Sequence, residues 1–338
     1  MKPSRLATTT LILAAAMVAA PAVHAEKELK IKLGTMAPEG SPWFNSLQRM
    51  AQRWKEVSGG KVTLKVYPGG VAGDEGDMVR KIRIGQLHAA TVTGVGLGRI
   101  HRATYALQLP MAMQSYEELD YVRDRLGPEI AGELEKGGVV VLSWGDAGWV
   151  HFFSKTPANT PAELRKLKMF LWSGDPEAEA AWRAAQFNPV PMSATDVMSG
   201  LQTGLIEWYG TTALFAMTSQ WANQTPNMVK INWAPLNGAT VIAKSEWDKV
   251  DPALRPKLLE IAKEEGDKLK LEIRKLGEDA VATMKNKNMK VYEPTAADIV
   301  EWQKVAEAAY PKIRGPVVPE HYFDEVLRLA KEYRAQKK

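Results

Sequence analysis

The 338-residue sequence contains no cysteine, and that absence removes several kinds of protein at once. Disulfide frameworks, thiolate zinc sites, cysteine nucleophiles and lipid attachment through cysteine are excluded. Phenylalanine is scarce, at seven residues against eleven tryptophans, which turns attention to the side chain most used to line cavities and anchor interfaces. Beyond the N-terminus no stretch approaches the roughly 18 apolar residues that a membrane helix needs. Charge of one sign is not in large excess either, with 44 basic against 39 acidic residues, and no basic run interleaved with aromatics offers a nucleic-acid surface. What remains is 45% apolar and 25% charged, the balance of a soluble globular protein long enough for two domains.

Residues 1–25 carry Lys2 and Arg5, an apolar run from Leu6 to Ala22, and then Val23, His24 and Ala25. A basic start, a short apolar stretch and small residues one and three places before a cut predict a secretory signal peptide, cleaved before Glu26. Its removal takes two basic residues and lowers the formal charge from +5 to +3. With no cysteine at the cut there is no lipoprotein anchor, so the periplasm is the expected compartment.

The rest alternates short apolar strands with amphipathic helices. Leu29–Leu33 and Val62–Val66 show the period-two alternation of strands, while Val139–Leu142 is a continuous apolar run, expected of a strand buried on both faces and ending at Ser143. Ser41 is placed as an N-cap ahead of Pro42, with Trp43, Leu47, Met50 and Trp54 at helical spacing. Capping boxes at Ser115/Glu118 and Thr160/Glu163 mark further helix starts. After Asp251 and Pro252, an apolar stripe from Leu258 through Ala262, Leu269, Ile273, Leu276, Ala280 and Met284 predicts a helix of about 30 residues, about 50 Å long. Gly266 and Gly277 interrupt it, so a strict coiled coil is not expected. A helix of that length runs past two domains. The order implies an α/β protein with mostly parallel sheets.

Little in the chain nominates chemistry. His88, His101, His151 and His321 show no metal-helix spacing, and there is neither a nucleophile elbow nor a phosphate-binding loop. Gly94, Gly96 and Gly98 follow the strand Ala89–Val92, but their spacing misses the nucleotide fingerprint and reads as a strand-end turn at a cleft edge. Asp74, Glu75 and Asp77 lack the alternation of a calcium loop and read as a helix start, where acids are favoured. Binding fits this inventory better than catalysis, and no cofactor is called for.

Three stretches carry a resemblance: residues 58–90 (SGGKVTLKVYPGGVAGDEGDMVRKIRIGQLHAA), 138–169 (GVVVLSWGDAGWVHFFSKTPANTPAELRKLKM) and 188–212 (NPVPMSATDVMSGLQTGLIEWYGTT). They resemble the DctP-like periplasmic substrate-binding proteins of TRAP (tripartite ATP-independent periplasmic) transporters, and the likeness extends over almost all of residues 28–335. The resemblance implies two α/β lobes around a hinge with a long helix spanning both: residues 26–147 plus 237–275 as lobe 1, and 148–236 plus 276–335 as lobe 2. It also implies integral membrane subunits as partners, with a periplasmic accessory protein as a further candidate.

Carboxylate-binding members of that family carry arginine in "GFRHF" and "LKGLKIR" stretches and asparagine in "DGxEN". Here Val150, Phe170 and Thr211 stand at those three positions. Arginine grips a carboxylate with two parallel hydrogen bonds, and none of these side chains can do so. Trp149, Trp172, Trp208 and Tyr209 fall beside them, with Trp144 and Trp233 near the hinge, and Glu39, Trp43 and Thr93 are placed across the cleft. An apolar, aromatic or lipid-like ligand is therefore expected, with Phe170 and Trp208 lining the pocket and Trp54, Trp182 and Trp302 in helix cores. The alternatives are a carboxylate site bridged by a cation on Glu207, a periplasmic enzyme, and a scaffold or receptor subunit without a ligand.

Overall fold

The computed structural model describes residues 28–337; the segment expected to be a signal peptide, residues 1–25, lies outside them. The chain opens with strand β1 (Leu29–Thr35), helix α1 (Pro42–Val57), β2 (Val62–Tyr67), α2 (Glu75–Arg83), β3 (Ala89–Thr93), α3 (Gly94–Gly98), a 3-10 turn (Arg102–Gln108) and α4 (Tyr116–Lys136). Strand β4 (Val139–Ser154) leads to α5 (Pro161–Leu164), β5 (Lys168–Trp172), α6 (Pro176–Ala184), β6 (Asn188–Met192), α7 (Val197–Thr203), β7 (Trp208–Thr212), α8 (Ala213–Thr218) and β8 (Asn227–Val229). Strand β9 (Pro235–Ala243), α9 (Lys244–Trp247), α10 (Arg255–Asn286), β10 (Lys290–Tyr292), α11 (Ala296–Ile313) and α12 (Glu320–Gln336) complete it.

The strands lie in the order β2-β1-β3-β9-β4-β7-β5-β6, with β8 on β4 and β10 on β8. The outer strands pair in parallel, β1 with β2 and β3, and β5 with β6 and β7. Around β4 and β9 the pairing is antiparallel, so the sheet is mixed at its centre. Strand β4 is longer than its apolar run suggests. It continues past Ser143 to Ser154, pairing first with β9 up to Trp149 and then with β7 and β8 from Val150 and Phe152 onward. Two register shifts, at Val141/Ser143 and Asp146/Gly148, bend it on the way, and Gly148 supplies the positive φ of 111°. Val140 and Val141 are only half-buried, not enclosed on both faces.

The expected caps form. Ser41 accepts from the Phe44 amide with Pro42 in the first turn, and Thr160 with Glu163 closes a complete capping box. At Ser115 the box is displaced by one residue, because the Glu118 carboxylate reaches the Gln114 amide instead (2.8 Å). The glycines after β3 form the short helix α3 rather than a plain turn, capped by Thr93.

Helix α10 spans 32 residues, about 48 Å. Its N-terminal half packs Leu258, Ile261 and Ala262 into the core under β1 and β2, and its C-terminal half packs Ile273, Ala280 and Met284 into the core under β7 and α8. Gly266 sits where the helix crosses β4; a Cβ there would stand 2.9 Å from Ser143 Cβ, so only glycine permits the approach.

A cluster of two arginines and two aspartates fastens this crossing. Arg274 of α10 donates to both Asp120 of α4 (2.7 Å) and Asp146 of β4 (2.7 Å), Arg123 donates to the same two carboxylates, and the Arg274 guanidinium lies 4.4 Å from the Tyr116 ring. Burial raises the Asp120 carboxyl, but the hydrogen bond from Arg274 and the charges of Arg274, Arg123 and Lys270 together hold the group below its ordinary range.

Two outcomes follow. Arg274→Met strips one partner from the buried Asp146 carboxylate and is expected to cost about 3 kcal/mol in urea unfolding. His151 is buried on β4 with Nδ1 donating to Ile231 O at 2.7 Å, and burial pushes its imidazole down from 6.5 to about 4. The unfolded chain therefore takes a proton near pH 6.5 that the folded one refuses until about 4. This contribution is complete above pH 6.5 and is lost as pH falls towards 4, by about 3 kcal/mol. Thermal melts across that window should show the loss, and His151→Gln should flatten it.

Candidate functional site

Three rungs of the central sheet define the floor of a cavity of about 110 Å³: Thr91–Thr240–Ser143, Val92–Ala239–Trp144 and Thr93–Gly238–Gly145. Two of the three residues in the last rung are glycine, which leaves that part of the floor without side chains. Gly238 is obligatory, since a Cβ would meet Val92 O at 2.2 Å. Above the floor stand Trp43, Leu47 and Met50 of α1 and Ala262, Gly266 and Leu269 of α10. The far wall comes from the other half of the sheet: Trp172 at the end of β5, Thr211 on β7, Phe215 on α8, and Ala194. The cavity thus lies where the two halves meet.

Three acids border it, and each is already engaged. Glu75 is fully enclosed; its carboxylate accepts the Thr93 amide (2.9 Å), the Thr93 hydroxyl (2.8 Å) and the Gly96 amide (2.8 Å). Burial pushes this carboxyl up, and the three hydrogen bonds only partly oppose it. Asp146 belongs to the two-arginine cluster, and its carbonyl accepts Trp43 Nε1 at 3.2 Å. Glu265 is held by Arg49 (2.9 Å) and Arg53 (2.8 Å). Among the described residues no lysine, arginine or histidine lines the cavity. Trp172 Nε1 is buried and has no hydrogen-bond partner. The wall is therefore mostly hydrocarbon and aromatic, with the Ser143 and Thr211 hydroxyls making no hydrogen bond among the described residues.

Of the residues singled out in the sequence, Trp43, Thr93, Trp172 and Thr211 meet at this cavity. The others lie elsewhere. Glu39 is exposed in the turn before α1. Trp149 packs on Tyr116 (5.5 Å) in the core with α4, and Val150 sits in the β4–β7 ladder against the core that holds Phe152 and Trp208. Trp208 is enclosed between Phe152 (5.4 Å) and Phe187 (5.8 Å), with Nε1 donating to Leu167 O. Tyr209 stacks on Phe153 (5.3 Å) and bonds Thr225. Phe170 is buried behind Trp172 (4.9 Å) against Trp221. The expectation that Phe170 and Trp208 line the pocket is thus corrected. Their strands are covered on both faces, so neighbouring helices take up these rings. Glu207 accepts the Lys168 amide (2.9 Å) and serves to join β7 to β5. Trp144 also lines the cavity, whereas Trp233 does not.

Glu75, Asp146, Gly238 and Gly266 were not picked out as cavity residues. A helix-start acid next to a glycine-rich segment was a usable signal for Glu75, and the interruption of an apolar stripe was one for Gly266. Nothing local distinguished Asp146. Glu75→Gln would turn an amide NH₂ towards at least one of these donors, the Thr93 amide on Oε1 or the pair on Oε2, so it should lower stability by about 1 to 3 kcal/mol in urea titration.

The family model described as bacterial extracellular solute-binding protein, family 7 (DctP), matches residues 33–315. A solute-binding protein from Roseobacter denitrificans is 27% identical over 253 residues, 72% of this chain and 74% of the relative. Among solved structures, the sugar acid binding protein of Advenella mimigardefordensis in complex with galactonate superposes with a TM-score of 0.85 at 17% identity, covering 90% of this chain and 99% of that one. A TRAP periplasmic solute-binding protein of Sulfurospirillum deleyianum with bound succinate gives 0.82 at 23%, with the same coverage.

Proposed function

Since the chain belongs to the DctP family of bacterial extracellular solute-binding proteins, the periplasmic substrate-binding subunits of TRAP transporters, we propose that the small molecule it carries to its membrane subunits is uncharged and largely apolar. One observation carries this reading: the cavity wall presents three engaged acids and no cationic side chain. The solved relatives above hold succinate and galactonate, both anions. A carboxylate placed in this cavity would gain no bidentate arginine and would face carboxylates on the wall. Arg123 and Arg274, the nearest guanidinium groups to Asp146, are committed to aspartates and offer no substitute.

Size favours a compact solute over a lipid. A cavity of about 150 Å³ accepts benzene, so about 110 Å³ suits an occupant of one ring or less. Removing about 200 Å² of such a solute from water contributes about 5 kcal/mol before binding entropy is subtracted. A hydroxyl or carbonyl on the solute would pair with the Ser143 or Thr211 hydroxyl on the wall. Capture proceeds by closure of two lobes, 26–147 with 237–275 and 148–236 with 276–319, across a hinge at Gly148 in the bend of β4. Helix α12, expected in the second lobe as part of 276–335, goes with the first, because it packs against α4 with Arg334 on Glu118 (2.7 Å). The role is capture and delivery rather than turnover, after export across the inner membrane.

Thermal shift and calorimetry with matched pairs test this: benzyl alcohol and phenol against benzoate, succinate and galactonate. The uncharged members should raise Tm by several degrees and be recovered chemically unchanged, while the acids leave it unaltered. Tighter binding of any carboxylate than of its uncharged counterpart overturns the reading, and conversion of the bound compound would restore the enzyme alternative.

A further inference from the structure

A second cavity, of about 180 Å³, lies apart from the first and shares none of its lining residues. Tyr105 and Gln108 of the 3-10 turn form one wall, Ala181 and Trp182 of α6 a second, and Val305 and Ala309 of α11 a third, with Trp233 between them. The void exists because small side chains face one another. Ala178, Ala181 and Ala185 follow one face of α6 and its C-cap, opposite Ala309, and leave room that leucine would fill. Trp182 and Trp233 lie 5.9 Å apart with planes inclined by 31°, two flat surfaces at one end of the space.

Its chemistry is more restrictive than that of the cleft. No charged side chain lines it among the described residues, the Tyr105 hydroxyl donates to Asp175 (2.9 Å) and the Gln108 amide donates to Asn237 O (2.7 Å). A charged solute would find no counter-ion on this wall. Volume also matters, because about 180 Å³ exceeds the roughly 150 Å³ in which an apolar cavity takes up benzene.

We infer that this cavity is a second small-molecule site, selective for an uncharged apolar molecule of one aromatic or aliphatic ring, independent of the ligand held in the cleft. An occupant inserts between α6, α11 and the 3-10 turn and meets the faces of Trp182 and Trp233. Ring-on-ring contact of that kind favours an aromatic occupant over an aliphatic one of equal size.

Benzene is the probe, and indole N–H resonances of the folded protein are the readout, with the two relevant signals assigned through Trp182→Phe and Trp233→Phe. Titration should move the Trp182 and Trp233 resonances saturably, and Ala309→Leu should weaken that response about tenfold or more while the Trp43 and Trp172 signals respond as before. Ala185→Leu provides the same test from the opposite wall should the first variant unfold. The inference is overturned if benzene moves only the cleft indoles, or if a folded leucine variant leaves the Trp182 and Trp233 response intact. Neither result bears on which solute the cleft prefers.

Discussion

The buried carboxylate of Asp146 is the point on which the rest of this molecule depends. An isolated charge at that depth is untenable, so two arginines must reach it, and they come from different helices: Arg123 from α4 and Arg274 from α10. Asp120 then balances the second positive charge, and Trp43 of α1 bonds the Asp146 carbonyl. One residue on a bent strand thereby fixes the approach of three helices. The register shift beside it, at Gly148, is where β4 leaves its pairing with β9 for its pairing with β7.

That requirement also sets the character of the cavity. The arginines near its wall, Arg49, Arg53, Arg123 and Arg274, are all paired with acids. Glu75 and Glu265 repeat the pattern on either side, one sealed by backbone amides and a hydroxyl, the other by Arg49 and Arg53. Most polar atoms around the space are bonded to the framework, and what faces inward is largely hydrocarbon, aromatic ring and glycine backbone, with the Ser143 and Thr211 hydroxyls among them.

Much of this was legible in the sequence, and the failures have a common cause. Helix α10 was readable because its stripe repeats over many turns, and Ser41 and Thr160 because caps are local. Strand β4 was read too short because the apolar signal stops at Ser143, where the strand enters a region whose polar residues are satisfied by partners over 100 residues distant, such as Arg274 for Asp146. The aromatic residues of β5 and β7 were assigned to a pocket because alternation identifies a face only when one face meets water. In β7 four of five residues are buried, so Trp208 and Thr211, three positions apart, end in a core and in a cavity for reasons that no period reveals. Trp182 and Trp233 show the converse. Trp182 packs against a core, as its helix stripe implies, and Trp233 is buried in the same core, but both also border a void that four alanines create.

Helix α10 has a consequence for how the chain acquires its structure. A single rod contributes side chains to two of the hydrophobic cores, one in each half, so each half completes its core with a segment of the same helix. The halves are therefore not modules in the evolutionary sense: recombination that exchanged one of them between relatives would sever the shared rod or duplicate it. New binding specificities in such an architecture arise by substitution at the junction, residue by residue, rather than by swapping lobes.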